Sequence, residues 1–222
     1  MQNSVLITSS IGKKLIMGLT GLFLVFFLVV HASINGCIWF NDGGKTFLYY
    51  AHFMGTNFLV HIAEVGLFAG LIIHIVDGLL LWKQNRDARP VKYSYSVAPE
   101  KSKWYSRSMG ILGTLILFFL IVHLRNFWGP NRLNQITTGE ELNLFDRMQE
   151  DFSNLWMVLL YLGGCFSLFW HLLHGFKSAF QSLGLNNVKY NKAIEIAGTA
   201  FAIIAPLVFA LMPISFYFHL VH

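Results

Sequence analysis

Five long apolar runs decide what this chain can fold into. They cover about 15–40, 58–82, 108–128, 155–176 and 194–220. A helix needs about 20 apolar residues to cross the hydrocarbon core of a bilayer, where backbone groups must form their hydrogen bonds within the helix. The runs therefore predict an all-α fold: a polytopic membrane helix bundle with five transmembrane helices, forming a single domain over residues 1–222.

The composition excludes a soluble protein. Only 12% of the 222 residues are charged and 55% are hydrophobic, whereas roughly a quarter of the residues in a soluble domain are charged. This balance also excludes a disordered chain. The segments between the runs are too short for a soluble domain of about 100 residues. Chemistry on a water-soluble substrate would therefore require another polypeptide.

The basic residues predict how the chain crosses the membrane. If the N-terminus is cytoplasmic, twelve of the 16 lysines and arginines lie on the cytoplasmic side. The other four are Lys45, Arg125, Arg132 and Arg147. Because basic residues concentrate in short cytoplasmic loops, we expect a cytoplasmic N-terminus and a C-terminus outside. The same bias accounts for the net charge of +5, so we expect no nucleic-acid partner.

Two connecting segments have recognisable patterns. Residues 83–107 are basic, which fits either a solvated loop beside anionic lipid or a docking surface for a cytoplasmic partner. In the outer segment 129–153, Thr138 and Glu141 have the spacing of a capping box. This spacing predicts a short amphipathic surface helix that runs through Met148.

Each of the first four runs contains one histidine deep within it: His31, His74, His123 and His171. An ionisable residue inside a membrane is by default a candidate functional residue. The first and third runs also share the pattern G-x-x-G-x9-H, over residues 18–31 and 110–123, with Phe-Phe-Leu at the same offset. The shared pattern indicates an internal repeat.

Small residues surround the histidines of the second and fourth runs at matching offsets. Positions −8, −4 and +4 are Gly66, Gly70 and Gly78 around His74, and Gly163, Ser167 and Gly175 around His171. Residues four apart share one face of a helix. A face of small residues lets another helix lie close, or a flat, wide group such as a haem. We therefore predict that Gly78 and Gly175 face a haem.

The four histidines sort into two depths. Counted from the nearest basic residue, the depths are roughly 25 Å for His31, 24 Å for His123, 13 Å for His74 and 9 Å for His171. An outer pair and an inner pair follow, and each could hold one haem iron between two neutral imidazoles. Two irons some 10–15 Å apart along the membrane normal would form a path for electrons across the bilayer.

Over nearly its whole length the chain resembles the two-haem cytochrome b membrane-anchor subunit of succinate:quinone oxidoreductases, meaning succinate dehydrogenase and fumarate reductase. The branch that it resembles has a single anchor polypeptide with five helices. The matching motifs are G-L-F-L-V-F-F-L-V-V-H-A-S-I-N over 21–35, A-H-F-M over 51–54, His74-x3-Gly78, His123 and His171-x3-Gly175-Phe176. The resemblance implies that His31 and His123 bind the iron of the outer haem b. It assigns the inner haem b to His74 and His171.

The resemblance also implies partners and a location. It implies a flavoprotein subunit with FAD and an iron–sulfur subunit on the cytoplasmic face of a bacterial inner membrane. Electrons would pass between the succinate/fumarate couple and menaquinone, or another quinone, in the lipid bilayer. This chain would be an enzyme subunit that does not bind the dicarboxylate. A dimer of the whole complex is compatible with this picture, and we expect the fifth helix to be peripheral to the haems.

One carboxylate, Glu64, is the candidate for quinone chemistry. It lies ten residues before His74, about 15 Å further outward, on the side where the family has its quinone site. It could exchange quinone protons as a general acid or base. The alternative is a solvated glutamate in the first turn of a helix, where negative charge is favoured. His52, His61 and Asn35 are weaker candidates on the same side.

Two other functions stay open at this stage. One is a two-haem b-type anchor of another respiratory enzyme, such as a hydrogenase, formate dehydrogenase or nitrate reductase. The layout of one histidine in each of four helices favours the succinate branch over these. The other is a haem-free transporter or proton channel that uses membrane histidines, which predicts charged or broken helices at mid-membrane.

Overall fold

The chain is helical wherever the structure describes it. The computed structural model describes residues 9–87, 104–185 and 187–222, and no strand occurs among them. Five helices, which we call spans one to five, are long and apolar enough to cross a membrane: Ile11–Phe40, Phe58–Asp87, Met109–Thr138, Leu155–Ser182 and Val188–Tyr217. The prediction of an all-α fold with five helices able to span a membrane is therefore confirmed.

Polar side chains cap the spans where loop turns into helix. Span one combines most of an α-helix over Ser10–Asn35 with a 3-10 turn over Gly36–Phe40. Ser9, Asn154 and Asn187 each accept a hydrogen bond from a backbone N–H in the turn that follows. Each satisfies a donor that helix geometry leaves without a partner. The helices extend beyond the apolar segments into polar residues. Hydropathy indicates the length that crosses the hydrocarbon core and not the full length of the helix.

Span three contains a π turn that the sequence analysis did not predict. It runs as an α-helix over Met109–His123, a π turn over Leu124–Trp128 and an α-helix over Gly129–Thr138. Pro130 has no N–H to donate to the carbonyl of Asn126, four residues earlier. Arg147 Nε donates to that carbonyl instead, at 3.3 Å. The helix therefore continues through the proline, ten residues beyond its predicted end at residue 128.

Two short helices cover one end of the bundle, which we call the loop end and which comprises residues 41–57 and 129–154. They are Lys45–Thr56 and Leu144–Phe152. Asp42 Oδ2 accepts hydrogen bonds from the Thr46 hydroxyl at 2.5 Å and from Thr46 N at 2.9 Å. These bonds hold the pKa of Asp42 below its ordinary value, and the bond from the hydroxyl contributes most. They do so because they stabilise the carboxylate.

The predicted capping box at Thr138 and Glu141 is wrong. Gly139, with φ at 78°, ends the helix that contains Thr138, since glycine adopts this left-handed conformation without a steric penalty. The next helix begins instead after Asn143, whose side chain accepts from two backbone N–H groups. A surface helix through Met148 does form, and Met148 is buried.

The first four spans form a ring in which sequence neighbours lie side by side. Span two packs against spans one and three, and span four packs against spans one, three and five. Spans one and three lie on one diagonal of the ring, and spans two and four on the other. Within the described ranges, neither diagonal pair packs closely along its length. The centre of the ring is therefore bounded by four helices.

The buried core lies at the loop end and between spans four and five. It includes Ile38, Phe47, Phe145, Phe152, Tyr161 and Phe216. By contrast, the most apolar stretch of span two has no buried residue and that of span one is only 6% buried. The protein's own side chains therefore leave these apolar faces to the bilayer or to a group inside the ring.

Most of the basic segment 83–107 lies outside the described residues, which omit 88–103. The lipid-facing loop and the docking surface therefore both stay predictions. At the described edge of the segment, the Arg86 guanidinium lies 5.9 Å from the centre of the Trp82 ring.

Span five approaches span four closely at Gly198. A Cβ placed on Gly198 would lie 2.5 Å from Cδ1 of Phe176. We expect Gly198→Ala to lower the melting temperature, because overpacking costs about 1–3 kcal/mol and exceeds the roughly 0.8–1.0 kcal/mol by which helices favour alanine over glycine. Thermal unfolding in lipid nanodiscs measures the effect. Thr199→Ala, at the adjacent exposed position, is the control, and an equal loss in both variants would contradict this packing.

Candidate functional site

Two pairs of histidine rings meet across the diagonals of the ring of spans. His31 of span one and His123 of span three have ring centroids 5.8 Å apart, with planes at 88°. His74 of span two and His171 of span four have ring centroids 6.2 Å apart, with planes at 67°. The structure thus brings together the same two pairs that the sequence predicts.

The repeated Phe-Phe-Leu triplet supports the outer pair. Phe27 stacks on His31 with ring centroids 5.2 Å apart and planes at 19°. Phe119 stacks on His123 at 5.7 Å and 27°. In both helices the phenylalanine precedes the histidine by four residues and shares its face. Each phenylalanine therefore holds the imidazole of its own helix from one side.

The second glycine of the repeated G-x-x-G-x9-H pattern lies at the inner pair. A Cβ on Gly21 would lie 3.5 Å from Cε1 of His74, and a Cβ on Gly113 would lie 3.9 Å from Cε1 of His171. A larger side chain would occupy the space that these rings use. The pattern therefore serves both pairs: its histidine belongs to the outer pair, and its glycine lets an inner ring approach.

These contacts give the separation of the two pairs. Gly21 lies ten residues before His31, and Gly113 lies ten residues before His123. At the rise of a helix, ten residues are about 15 Å. Along both helices, the inner pair therefore lies about 15 Å from the outer pair. The four imidazoles form a column of two pairs along the axis of the ring.

Three of the four histidines have a polar neighbour at Nδ1. The distances are 3.2 Å from His74 to Thr20 Oγ1, 3.3 Å from His31 to Asn35 Nδ2 and 3.4 Å from His123 to the Tyr161 hydroxyl. Nδ1 of His171 is buried and has no hydrogen-bond partner among the described residues.

The hydroxyl of Thr20 selects one tautomer of His74. Thr20 Oγ1 donates its proton to the carbonyl of Ile16 at 2.8 Å. Towards His74 it can therefore only accept, which places the ring proton on Nδ1. Nε2 of His74 is then unprotonated, as a metal ligand has to be.

The residues of both pairs fit an iron bound between two imidazoles. Two imidazoles that share one metal ion at about 2.0–2.1 Å each have ring centres roughly 6 Å apart, close to both observed separations. Among the described residues, no hydrogen bond uses Nε2 of these four histidines. Nor do those residues form a metal-holding group of three or more His, Cys, Asp or Glu side chains. Each pair alone would therefore give a metal ion only two ligands, and a porphyrin would supply the others.

The two glycines predicted to face a haem have different surroundings. A Cβ on Gly175 would meet no atom within 4 Å, and the same holds for Gly66 and Gly163. Open space therefore lies beside these small residues. A Cβ on Gly78 would lie 3.4 Å from Cε of Met17 in span one. At Gly78 the small residue also permits a helix contact, and the haem-facing roles of Gly78 and Gly175 stay predictions.

Span five reaches the outer pair and is not peripheral to it. The Phe209 ring lies 5.5 Å from the His31 ring, between centroids. The carbonyl of Phe209 has no helical donor, because the residue four positions later is Pro213. Pro213 is fully buried. Span five therefore closes one side of the outer pair.

Glu64 lies in a polar cluster at the loop end of span two. Its Oε1 accepts a hydrogen bond from Trp128 Nε1 at 2.6 Å. Its Oε2 lies 3.5 Å from His61 Nδ1 and 4.0 Å from Arg132 Nη2. The alternative of a first-turn glutamate is wrong, because the helix begins at Phe58 and Glu64 falls in its second turn. The Glu64 side chain is 25% exposed, so it is held by neighbours and still accessible.

A chain of hydrogen bonds runs from Arg132 across the loop end. Arg132 Nη1 donates to Gln135 Oε1 at 3.0 Å, and Gln135 Nε2 donates to Glu141 Oε1 at 2.8 Å. Glu141 Oε2 lies 2.7 Å from His52 Nδ1. His52 therefore ties the helix Lys45–Thr56 to span three, while Asn35, another weaker candidate, lies beside His31.

Several partners of the candidate residues were not predicted from the sequence. Trp128 is the last residue of the π turn and Arg132 follows it, and their contacts with Glu64 join spans two and three. Thr20 and Tyr161 gave a weak signal, since each is a polar residue within an apolar run. They lie far in sequence from the histidines that they contact, so the sequence did not indicate these contacts.

Comparison with protein-family models, curated proteins and solved structures finds no match for this chain.

Proposed function

We propose that this chain is the two-haem cytochrome b membrane anchor of a succinate:quinone oxidoreductase. It carries electrons between flavoprotein and iron–sulfur subunits at the cytoplasmic face and menaquinone, or another quinone, in the bilayer of a bacterial inner membrane. It contributes the quinone site and does not bind the dicarboxylate. In this proposal the loop end faces outward, in keeping with the distribution of lysine and arginine.

The observation that carries the proposal is the column of two imidazole pairs. In each pair the Nε2 atoms have no hydrogen-bond partner among the described residues, the centroid separation suits one shared metal ion, and a hydroxyl lies at Nδ1 of one histidine. When bound, a haem supplies an iron that changes oxidation state by one electron. The chain's part is to hold the imidazoles about 15 Å apart along the membrane normal, with Phe27 and Phe119 shielding the outer pair from water.

The polar cluster around Glu64 supports the quinone part of the proposal. Reduction or oxidation of a quinone moves protons as well as electrons, so the site needs a group that exchanges protons with water. Glu64 belongs to a lipid-spanning helix, yet it contacts His61, Trp128 and Arg132 at the loop end. A carboxylate at this boundary can serve a quinone headgroup as general acid or base.

Haem content tests the pairing. We expect the wild-type chain to hold two haems b, because each needs two imidazoles. His31→Ala and His123→Ala should each lose the same haem, and His74→Ala and His171→Ala the other. Haem quantitation of the purified protein measures how many haems each variant holds, and reduced-minus-oxidised spectra show which haem is lost. His222→Ala, at the exposed C-terminus, is the control.

Three outcomes would contradict the proposal or narrow it. Retention of both haems in all four variants would refute the assigned ligands. A folded wild-type protein without haem, purified with its partners, would favour the haem-free transporter. Two haems with a partner other than an FAD-containing flavoprotein would favour the anchor of a hydrogenase, formate dehydrogenase or nitrate reductase.

Glu64→Gln tests the quinone site. The amide keeps the shape of the side chain and removes its proton exchange. We expect quinone turnover by the whole complex to fall about 100-fold or more, with haem content unchanged. Glu140→Gln, which neutralises an exposed acid at the same end, should leave turnover unchanged. Normal turnover in Glu64→Gln would remove Glu64 from the mechanism.

A further inference from the structure

The Tyr161 hydroxyl is held in one place at the outer pair. Tyr161 is 5% exposed, and its ring packs edge-on against Phe119 at 5.0 Å and Phe152 at 4.9 Å. A buried tyrosine hydroxyl needs a hydrogen-bond partner. Among the described residues that partner is Nδ1 of His123, at 3.4 Å.

A largely buried carboxylate lies on the surface helix that packs against this tyrosine. Asp151, on the helix Leu144–Phe152, directly precedes Phe152, whose ring contacts Tyr161. Its side chain is only 13% exposed, and Oδ1 lies 3.6 Å from Arg147 Nη2. Oδ2 is buried with no hydrogen-bond partner among the described residues. Burial raises the pKa of Asp151, and the charge of Arg147 opposes that effect.

The direction of these interactions follows from the role of Nε2. If Nε2 of His123 binds a metal ion, the single proton of the neutral ring is on Nδ1. Nδ1–H would then donate to the Tyr161 oxygen, so that Tyr161 is the acceptor in this contact. A ligand histidine whose Nδ1–H donates a hydrogen bond in this way becomes a stronger electron donor to the metal ion.

We propose that Tyr161 is a positioning residue which fixes the tautomer of His123 and, together with the nearby Asp151 carboxylate, lowers the reduction potential of the outer site. The inference rests on the proposed function, because it concerns how the outer imidazole pair tunes a haem. Hydrogen bonding around the axial ligands is one of the levers by which a protein sets a haem potential. At the inner pair the oxygen that faces Nδ1 of His74 is the aliphatic hydroxyl of Thr20, and His171 has no partner at Nδ1 among the described residues.

The reduction potentials of the two b-type centres test this role. They are read by redox titration of the visible spectrum of the full-length protein. We expect Tyr161→Phe to raise one of the two midpoint potentials, with a change of about tenfold in the one-electron equilibrium, or about 59 mV. Haem content should stay at the wild-type level. Thr20→Val, at the inner pair, should move the other potential instead.

Asp151 and Glu150 provide a matched pair of variants. Both acids lie beside Arg147 on the same helix, but Glu150 is 74% exposed, whereas Asp151 is 13% exposed and adjoins Phe152, which packs against Tyr161. We expect Asp151→Asn to raise the same potential as Tyr161→Phe, and Glu150→Gln to change neither. Tyr49→Phe, at an exposed tyrosine, controls for the loss of a hydroxyl.

The outcomes separate this inference from the proposed function. If both haems bind and Tyr161→Phe leaves both potentials unchanged, or shifts both equally, the role of Tyr161 is refuted and the proposed function stands. Equal shifts in Asp151→Asn and Glu150→Gln would refute the role of Asp151. A wild-type protein without haem would refute the proposed function itself.

Discussion

The contact of imidazoles across the diagonals of a four-helix ring is the interaction on which the rest of the structure depends. Two side chains can meet across a diagonal only if the helices between them approach closely and the residues at the crossing level are small. Gly21 and Gly113 meet this need at the inner pair, and phenylalanines four residues before His31 and His123 support the outer pair. The same demand keeps the ring from filling its centre with its own large side chains.

A ring with so little internal packing needs stabilisation from elsewhere. The loop end and span five provide it. The main aromatic core lies there, Trp39 Nε1 donates to Ser215 Oγ at 3.0 Å, and the N–H of Gly43 donates to the carbonyl of His222 at 3.0 Å. These contacts join the end of span one to the end of span five. The histidine column is thus held by a well-packed end, while the bilayer covers the apolar outer faces of spans one and two.

The sequence predicted the spans and the histidine pairs because both depend on regular helix geometry. Hydropathy marks the lipid-facing length, and the rise per residue places His31 level with His123. The predictions that failed depend on local backbone conformation. Thr138 and Glu141 had the spacing of a cap, but Gly139 ended the helix first. The π turn before Pro130 needs Arg147 as a substitute donor, and no periodicity in span three reveals a partner so far along the chain. The neighbours of Glu64 were missed for the same reason.

The internal repeat gives the histidine column a near-twofold symmetry. Spans one and two form one unit, spans three and four form a second, and each pair takes one imidazole from each unit. The arrangement resembles a symmetric dimer of two-span units that are joined in one chain. Each unit carries one histidine of the outer pair and one of the inner pair. Neither unit could close a site alone, so a group clamped at one level would order the same two units that meet at the other level and would ease binding there. Span five has no counterpart in the repeat. Its Phe209 contacts His31, so the two histidines of the outer pair have different surroundings.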